Sequence, residues 1–139
     1  DHVLFKPAKL TKEENEYMKS HTSKGCEIMK MMKGIQTPED YKKSMEICRY
    51  HHERYDGRGY PEGLKGDEIP ISAQIVSVVD AYHALISERI YKRSFSKEEA
   101  YYMILGGDCG IFSPKIMECF RMSRKEIETI EAEEREETV

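Results

Sequence analysis

Apolar residues recur at intervals of three and four along most of the chain, which is the spacing of one face of an α-helix. One such face lies on 72–87 and is formed by Ile75, Val79, Tyr82 and Ile86. A second lies on 38–53 and is formed by Tyr41, Met45 and Cys48. The pattern predicts helices at 11–20, 21–33, 38–53, 72–87, 96–106, 113–121 and 123–135. The expected fold class is therefore all-α, a compact helical bundle.

Helix-start signals agree with this pattern. The S/T-x-x-E capping box, which satisfies two free amide donors at a helix start, occurs three times: Thr11 with Glu14, Ser96 with Glu99, and Ser123 with Glu126. Two further starts place a cap residue before proline, at Thr37–Pro38 and Ser113–Pro114. Ser72 is a sixth candidate cap.

One connection differs from the others. Residues 54–71 are too long and too rich in glycine to be a simple linker in so short a chain. They directly follow two adjacent histidines, His51 and His52, at the end of a predicted helix. We therefore expect one long, ordered, glycine-rich functional loop within the bundle.

Length and charge limit the partners. The 139 residues fit one domain, which we divide into 1–125 and an acidic C-terminal helix or tail at 126–139. That tail carries seven Glu and one Arg, a charge of −6, so the remainder sums to +2 and can accept a phosphorylated ligand. Without a basic stripe, a nucleic acid polymer is not an expected partner. No apolar run approaches the ~18 residues of a membrane span, and the four cysteines form no C-x-x-C pair, which favours reduced thiols in the cytoplasm.

Four residues on three predicted helices are candidates for a metal site: His21, His51, His52 and Asp80. Imidazole and carboxylate suit Fe, Mn and Zn, and bundles commonly build such sites from facing helices. Neighbouring helical residues point about 100° apart, so the two adjacent histidines would serve two different ions. A carboxylate in the apolar run "SVVDAYHAL" is expected to be buried and to need a partner.

Purely structural interpretations remain open for the same residues. A single histidine on an apolar face is more often a hydrogen-bonded core residue than a ligand, and adjacent histidines can cap the carbonyls of a helix end. Asp80 can form a salt bridge with Arg89 or Lys92. The residues alone therefore do not decide between a metal site and a purely structural role.

Four segments of the chain resemble a known family. They are "KPAKLTKEENEYMKSH", "HHERYDGRGYPEGLKGDEIP", "VVDAYHALIS" and "ERIYKRSFSKEEA", in that order. The chain resembles, over roughly residues 3–122, the HD-GYP domain, a bacterial branch of the HD phosphohydrolases. The resemblance implies an all-helical domain that holds two or three divalent ions, Fe or Mn. It further implies hydrolysis of the second messenger cyclic di-GMP, with the linear dinucleotide as product.

The resemblance also assigns residues. His21, His51, His52 and Asp80 match metal ligands, Arg89 and Lys92 match basic residues that hold the substrate phosphate, and Gly59, Tyr60 and Pro61 match a loop for substrate access and for binding other signalling domains. Dimerisation is compatible with this assignment.

The chain departs from the family pattern at three places. The His–Asp pair that names the family lies about ten residues before the position of Asp1, so we expect this segment to be incomplete for catalysis at its N-terminus. His83 replaces an Asp and is assigned as a residue that supports the metal ligands without binding the metal itself. Ser113 also replaces an Asp, as a helix cap. Two hypotheses follow: a metal-dependent cyclic di-GMP phosphodiesterase domain, or a catalytically inactive signalling module that binds a partner protein or nucleotide through the Gly59–Pro61 loop.

Overall fold

Six α-helices form the part of the chain described by the computed structural model, namely residues 6, 8–32, 34, 37–87, 94–127 and 129. They are α1 (Lys12–Lys19), α2 (His21–Met31), α3 (Pro38–Tyr50), α4 (Ile71–Ile86), α5 (Lys97–Gly106) and α6 (Pro114–Met122). Within the described ranges no strand occurs, which confirms the all-α prediction. The predicted helix 123–135 is described at 124–127 and at 129, where it is helical, and most of the acidic segment lies outside the described residues.

Local side-chain chemistry sets most of the helix starts. Capping boxes at Thr11 and Ser96 are both complete, and Thr37 and Ser113 cap α3 and α6 ahead of a proline. The prediction that Ser72 caps α4 is wrong. That helix starts one residue earlier, after Pro70, and the Ser72 hydroxyl instead donates to Glu46 Oε2 on α3 at 3.0 Å.

The hydrophobic core lies where α4, α5 and α6 meet. Its buried residues are Val78, Ala81, Tyr82, Leu85, Ala100, Tyr101, Ile104, Phe112, Ile116, Met117 and Phe120. The Phe120 ring stacks on Tyr101, with ring centroids 5.3 Å apart. This core buries one side of α4 and leaves Asp80 exposed.

The buried side of α4 agrees only in part with the apolar spacing. Tyr82 is buried and Ile86 packs against the core as predicted. Ile75 and Val79 are instead 49% and 56% exposed, and Val78 and Leu85 are the further residues that face the core. Because α4 is apolar on nearly all sides, spacing alone does not select the face, and packing against α5 and α6 decides it.

Helices α2, α3 and α4 pack in chain order, α2 against α3 and α3 against α4. The start of α2 and the end of α3 therefore come together, and the loop after α3 lies beside α4. None of the described helices is both long and apolar enough to cross a membrane.

Candidate metal centre

Three histidines converge where α2 begins and α3 ends. His21 is the first residue of α2, His51 is the C-cap residue of α3, and His52 follows it. One ring nitrogen of each lies within 4.8 Å of the others. The closest pair is His21 Nε2 and His51 Nε2, at 3.3 Å. The structure thus brings together three of the four candidate ligands predicted from the sequence.

Backbone carbonyls fix the protonation of two of these rings. His21 Nδ1 lies 2.7 Å from the carbonyl of Met18, and His51 Nδ1 lies 2.8 Å from that of Ile47. A carbonyl only accepts, so each Nδ1 must carry the proton and donate it. In the neutral rings both Nε2 atoms then present lone pairs to each other at 3.3 Å.

Two facing lone pairs repel each other unless a proton or a cation lies between them. A divalent metal satisfies both, and a ligating histidine typically donates its other ring nitrogen to a carbonyl, as His21 and His51 do. Imidazole nitrogen suits Fe, Mn and Zn. The residues present therefore fit a divalent ion, and the carbonyls of Met18 and Ile47 orient its ligands.

The third histidine is held neutral beneath a tyrosine. Burial, together with the nearby imidazoles of His51 and His21 and the Arg54 guanidinium, lowers the pKa of His52 to about 3. The Tyr60 ring stacks on His52 with centroids 4.7 Å apart and planes inclined by 25°. Burial also raises the pKa of Tyr60, which therefore stays a neutral phenol at physiological pH. His52 is thus ready to offer a lone pair.

Asp80 differs from its sequence-based description. Its side chain is exposed on α4 rather than buried, so the expectation that burial forces it to find a partner is wrong. Among the described residues it does not belong to the group formed by the three histidines. Burial lowers the pKa of Arg54, and the nearby Cys109, Tyr60 and Asp80 side chains act in the opposite direction. Arg89 and Lys92 lie outside the described residues.

Sequence reasoning missed the residue that shapes the loop. Glu53 is 2% exposed, and its carboxylate accepts three backbone N–H groups. Oε1 accepts from Glu62 at 2.7 Å and from Gly63 at 3.1 Å, and Oε2 accepts from Leu64 at 3.0 Å. A buried carboxylate requires such donors, so the loop folds around this side chain. The available signal was a glutamate directly between the histidine pair and a glycine-rich run.

Gly59 brings the same loop against the end of α3. A Cβ atom at Gly59 would lie 2.3 Å from Arg54 N and 2.4 Å from Glu53 Cα, so no other residue fits without moving the backbone. The next residue, Tyr60, donates its N–H to the carbonyl of His52 at 3.2 Å. This close approach sets the Tyr60 ring over His52, and exposed Pro61 follows across a cis peptide bond.

Arg54 joins three segments behind the histidines. Its Nε donates to the carbonyl of Cys109 at 2.9 Å, and its Nη1 donates to Ser77 Oγ on α4 at 2.7 Å and to the carbonyl of Glu53 at 3.0 Å. The guanidinium lies over the Phe112 ring, 5.0 Å from its centroid. It thereby lines a cleft of about 390 Å³ between the Gly59–Pro61 loop and residues 107–111.

We expect Arg54→Lys to lower the free energy of unfolding by about 2 kcal/mol, because an ammonium cannot reproduce the planar fork that reaches Cys109 and Ser77 together. Chemical denaturation measures the effect. Arg58→Lys is the matched control, since that side chain is 88% exposed and should change stability little. Equal effects of the two substitutions would show that the hydrogen bonds of Arg54 to Cys109 and Ser77 do not stabilise the fold.

Comparison with known proteins places this arrangement in a family. The sequence model of a family described as "HD domain" matches residues 2–107. The chain belongs to the HD domain family. Its relatives support the HD-GYP branch that the sequence motifs indicate.

Three relatives illustrate the relationship. A protein named cyclic di-GMP phosphodiesterase from Thermotoga maritima is 41% identical over 137 residues, which is 99% of this chain and 36% of that protein. A probable cyclic di-GMP phosphodiesterase from Vibrio cholerae is 42% identical over 123 residues, 86% of this chain and 28% of that protein. A 3'3'-cGAMP-specific phosphodiesterase 2 from Vibrio cholerae is 36% identical over 118 residues, 85% of this chain and 22% of its own length. This HD domain thus spans about a third or less of the length of these relatives.

The histidine cluster of this HD domain gives a direct prediction for metal binding. We expect His21→Ala and His51→Ala each to weaken Mn²⁺ binding by roughly tenfold or more, because each removes one of the two facing Nε2 donors. Titration calorimetry with Mn²⁺ alone is the measurement. The role of supporting the metal ligands, assigned to His83 from the sequence, finds no basis in its position, because the ring is exposed and contacts Ser87. His83→Ala should therefore leave the affinity unchanged. Equal affinities for all variants would exclude the cluster as the site.

Proposed function

We propose that this HD domain is the metal-binding part of a phosphodiesterase that hydrolyses cyclic di-GMP. The observation that carries the proposal is the pair of facing, carbonyl-oriented Nε2 atoms of His21 and His51, 3.3 Å apart beside neutral His52. The names of the most similar relatives described above support the reaction class.

In this proposal His21, His51 and His52 hold divalent ions, Fe or Mn, and exposed Asp80 on α4 supplies a further carboxylate. When bound, such ions polarise a phosphoryl oxygen and neutralise the charge that develops in the transition state. The three imidazoles bring no negative charge of their own to this position. An anionic phosphodiester can therefore approach without repulsion from them.

Other residues of this chain bind and orient the substrate. Arg89 and Lys92 are assigned to the phosphate, for which a guanidinium fork and an ammonium are suitable donors. The Gly59–Pro61 loop controls access, and the Tyr60 ring on its inner side covers one face of His52 and shields it from water. Glu53 and Arg54 keep that loop in place.

Sequence identity to these relatives supports cyclic di-GMP over a mixed cyclic dinucleotide as the substrate. Relatives named for cyclic di-GMP are 32% to 42% identical to this chain, and those named for 3'3'-cGAMP are 31% to 36% identical. We therefore expect faster cleavage of cyclic di-GMP than of 3'3'-cGAMP, with the linear dinucleotide released first.

The second candidate is a catalytically inactive signalling module. It is favoured by one observation, the internal anchoring of the Gly59–Pro61 loop by Glu53, which gives the exposed Pro61 side a fixed shape without any metal. A fixed, exposed loop suits the binding of a partner protein or nucleotide.

The test is anaerobic loading of the whole protein with Fe²⁺ or Mn²⁺ and separation of products from cyclic di-GMP and 3'3'-cGAMP. We expect cleavage that is lost in His51→Ala and His52→Ala and retained in His83→Ala. Binding of cyclic di-GMP without cleavage at full metal content would support the inactive module instead and overturn the enzymatic proposal.

A further inference from the structure

Two thiols meet where α2 crosses α3, one turn away from the histidine cluster. The Cys26 thiol donates to the carbonyl of Met45 on α3, and the Cys48 thiol donates to the carbonyl of Thr22 on α2, each at 3.8 Å. Each thiol thus reaches across to the opposite helix, to a carbonyl that lies three or four residues before the other cysteine.

A glycine makes this crossing close. Gly25 lies next to Cys26 in α2, and a Cβ atom there would stand 2.5 Å from Cys48 Sγ. Any side chain at this position would push the Cys48 sulfur away. Glycine in a helix interior is less stable than alanine by about 1 kcal/mol. Gly25 therefore lowers the intrinsic stability of α2 but allows α2 and α3 to approach closely.

We propose that Cys26 and Cys48 form a reversible disulfide that ties α2 to α3 when the protein meets a peroxide. The pair is not part of the metal-binding or substrate-binding assignments. The proposal is independent of whether the domain is an enzyme. Transient disulfides of this kind occur in reducing compartments as redox sensors.

The chemistry is a two-electron oxidation. Cys48 is partly exposed and Cys26 is only 4% exposed, so Cys48 is the thiol that a peroxide reaches first. The Cys48 sulfur attacks the peroxide, the O–O bond breaks, and a sulfenic acid forms with release of water or an alcohol. The Cys26 sulfur then attacks Cys48 Sγ, the S–O bond breaks, and the leaving hydroxide takes the Cys26 proton and departs as water. Overall the two thiols lose two electrons and two protons, and the peroxide takes up both.

Burial controls the rate of this reaction. Burial raises the pKa of the Cys48 thiol, and contact with Cys26 acts in the same direction. The thiolate is the attacking form, so oxidation is slow near neutral pH and accelerates as the pH rises. Proximity of the second thiol then favours the disulfide over further oxidation.

The position of the pair gives it a consequence for the site. Cys26 lies five residues after His21 on α2, and Cys48 lies three residues before His51 on α3. A covalent bond between the two cysteines restricts the relative movement of the helices that hold the two facing imidazoles. Oxidation is therefore expected to change metal affinity without touching a ligand.

The test uses a Cys109→Ala/Cys119→Ser variant, which retains only the pair. Hydrogen peroxide followed by thiol titration in denaturant should show the loss of both thiols, a mass decrease of about 2 Da for two hydrogens, and recovery of both thiols with dithiothreitol. The further variant Cys48→Ala should show no such mass decrease and should keep Cys26 or gain oxygen instead. Sulfinic or sulfonic adducts on the pair, two thiols that survive peroxide, or dimers on a non-reducing gel would each overturn the proposal.

The unsubstituted protein provides a second measurement that does not depend on the variant folding. Trypsin cleaves after Lys30, Lys33, Lys42 and Lys43 between the two cysteines, so a non-reducing digest reports their linkage directly. The expected product is one cross-linked peptide that contains Cys26 and Cys48. Linkage of either cysteine to Cys109 or Cys119 would contradict the inference. The oxidised protein should also unfold at a higher temperature than the reduced protein, because the disulfide restricts the unfolded chain.

Discussion

Glu53→Gln is expected to lower the free energy of unfolding by about 2–3 kcal/mol, because hydrogen bonds to a charged acceptor contribute about 1.5–3 kcal/mol each and one of three is lost outright. The substituted amide keeps one oxygen, which can still accept from Glu62 and Gly63. Its NH₂ group then faces the N–H of Leu64, and two donors meet where a donor and an acceptor met before. Glu53→Ala removes all three acceptor contacts and is expected to cost more.

Hydrogen exchange gives this prediction its local readout. The amides of Glu62, Gly63 and Leu64 should exchange much faster in Glu53→Gln than in the unsubstituted protein, while amides of the α4–α6 core remain protected. Glu62→Gln is the matched control, because that glutamate is 40% exposed and only pairs with Arg49 on the surface. Unchanged protection of the three amides in Glu53→Gln would show that another group holds the loop.

Gly59→Ala is expected to be at least as severe, with a loss of about 3 kcal/mol or more, because a methyl group forced into a packed site shifts the backbone. The clashing atoms are main-chain atoms of Glu53 and Arg54, which cannot rotate away. The loop must therefore retreat from the end of α3 and carry the Tyr60 ring off His52. We expect both a lower midpoint of denaturation and greater solvent access to Tyr60, measured by quenching of tyrosine fluorescence.

A second glycine serves as the control for this substitution. Gly106 ends α5, and a Cβ atom there would meet nothing within 4 Å. Gly106→Ala should leave stability unchanged or raise it by up to about 1 kcal/mol through helix propensity. If both substitutions behave alike, the close approach at Gly59 does not determine the position of the loop.

The helices could be predicted from the sequence because their starts are encoded locally. The boxes at Thr11 and Ser96 and the cap–proline pairs at Thr37 and Ser113 each need only three or four consecutive residues. Ser72 shows the limit of this reasoning. Its hydroxyl has a better acceptor on α3, Glu46, and no short-range pattern reveals a partner 26 residues away.

The face of α4 could be predicted only in part, since Tyr82 and Ile86 do face the core, and the reason is a related one. Apolar residues surround this helix, so several faces satisfy the helical spacing equally. Contacts with α5 and α6 select the face of Val78 and Leu85, and they leave Ile75 and Val79 exposed. Asp80 lies on the exposed side for the same reason, and the expectation that it is buried is wrong.

Part of the candidate site was visible in the sequence. The placement of His21, His51 and His52 on predicted helices names them as candidates. Their adjacency predicts that His51 and His52 point in different directions and serve two ions, whereas the structure places their ring centroids 4.2 Å apart and groups both with His21. Glu53 and Arg54 were not recognised, because most of their partners are backbone amides and carbonyls. Every residue carries such groups, so no residue type in the sequence marks them as partners.

Because Glu53 anchors the loop through main-chain groups, the backbone conformation of the loop does not depend on its outer side chains. Within the described part of the chain the carboxylate accepts from the main-chain N–H groups of 62–64, so these contacts do not depend on which side chains those positions carry. Gly63 is constrained by its φ of +69°, but the exposed side chain at Glu62 is not. Related domains can therefore vary the outer residues of this loop, and with them the molecules it recognises, while inheriting one backbone. Divergence of specificity would then require no redesign of the scaffold.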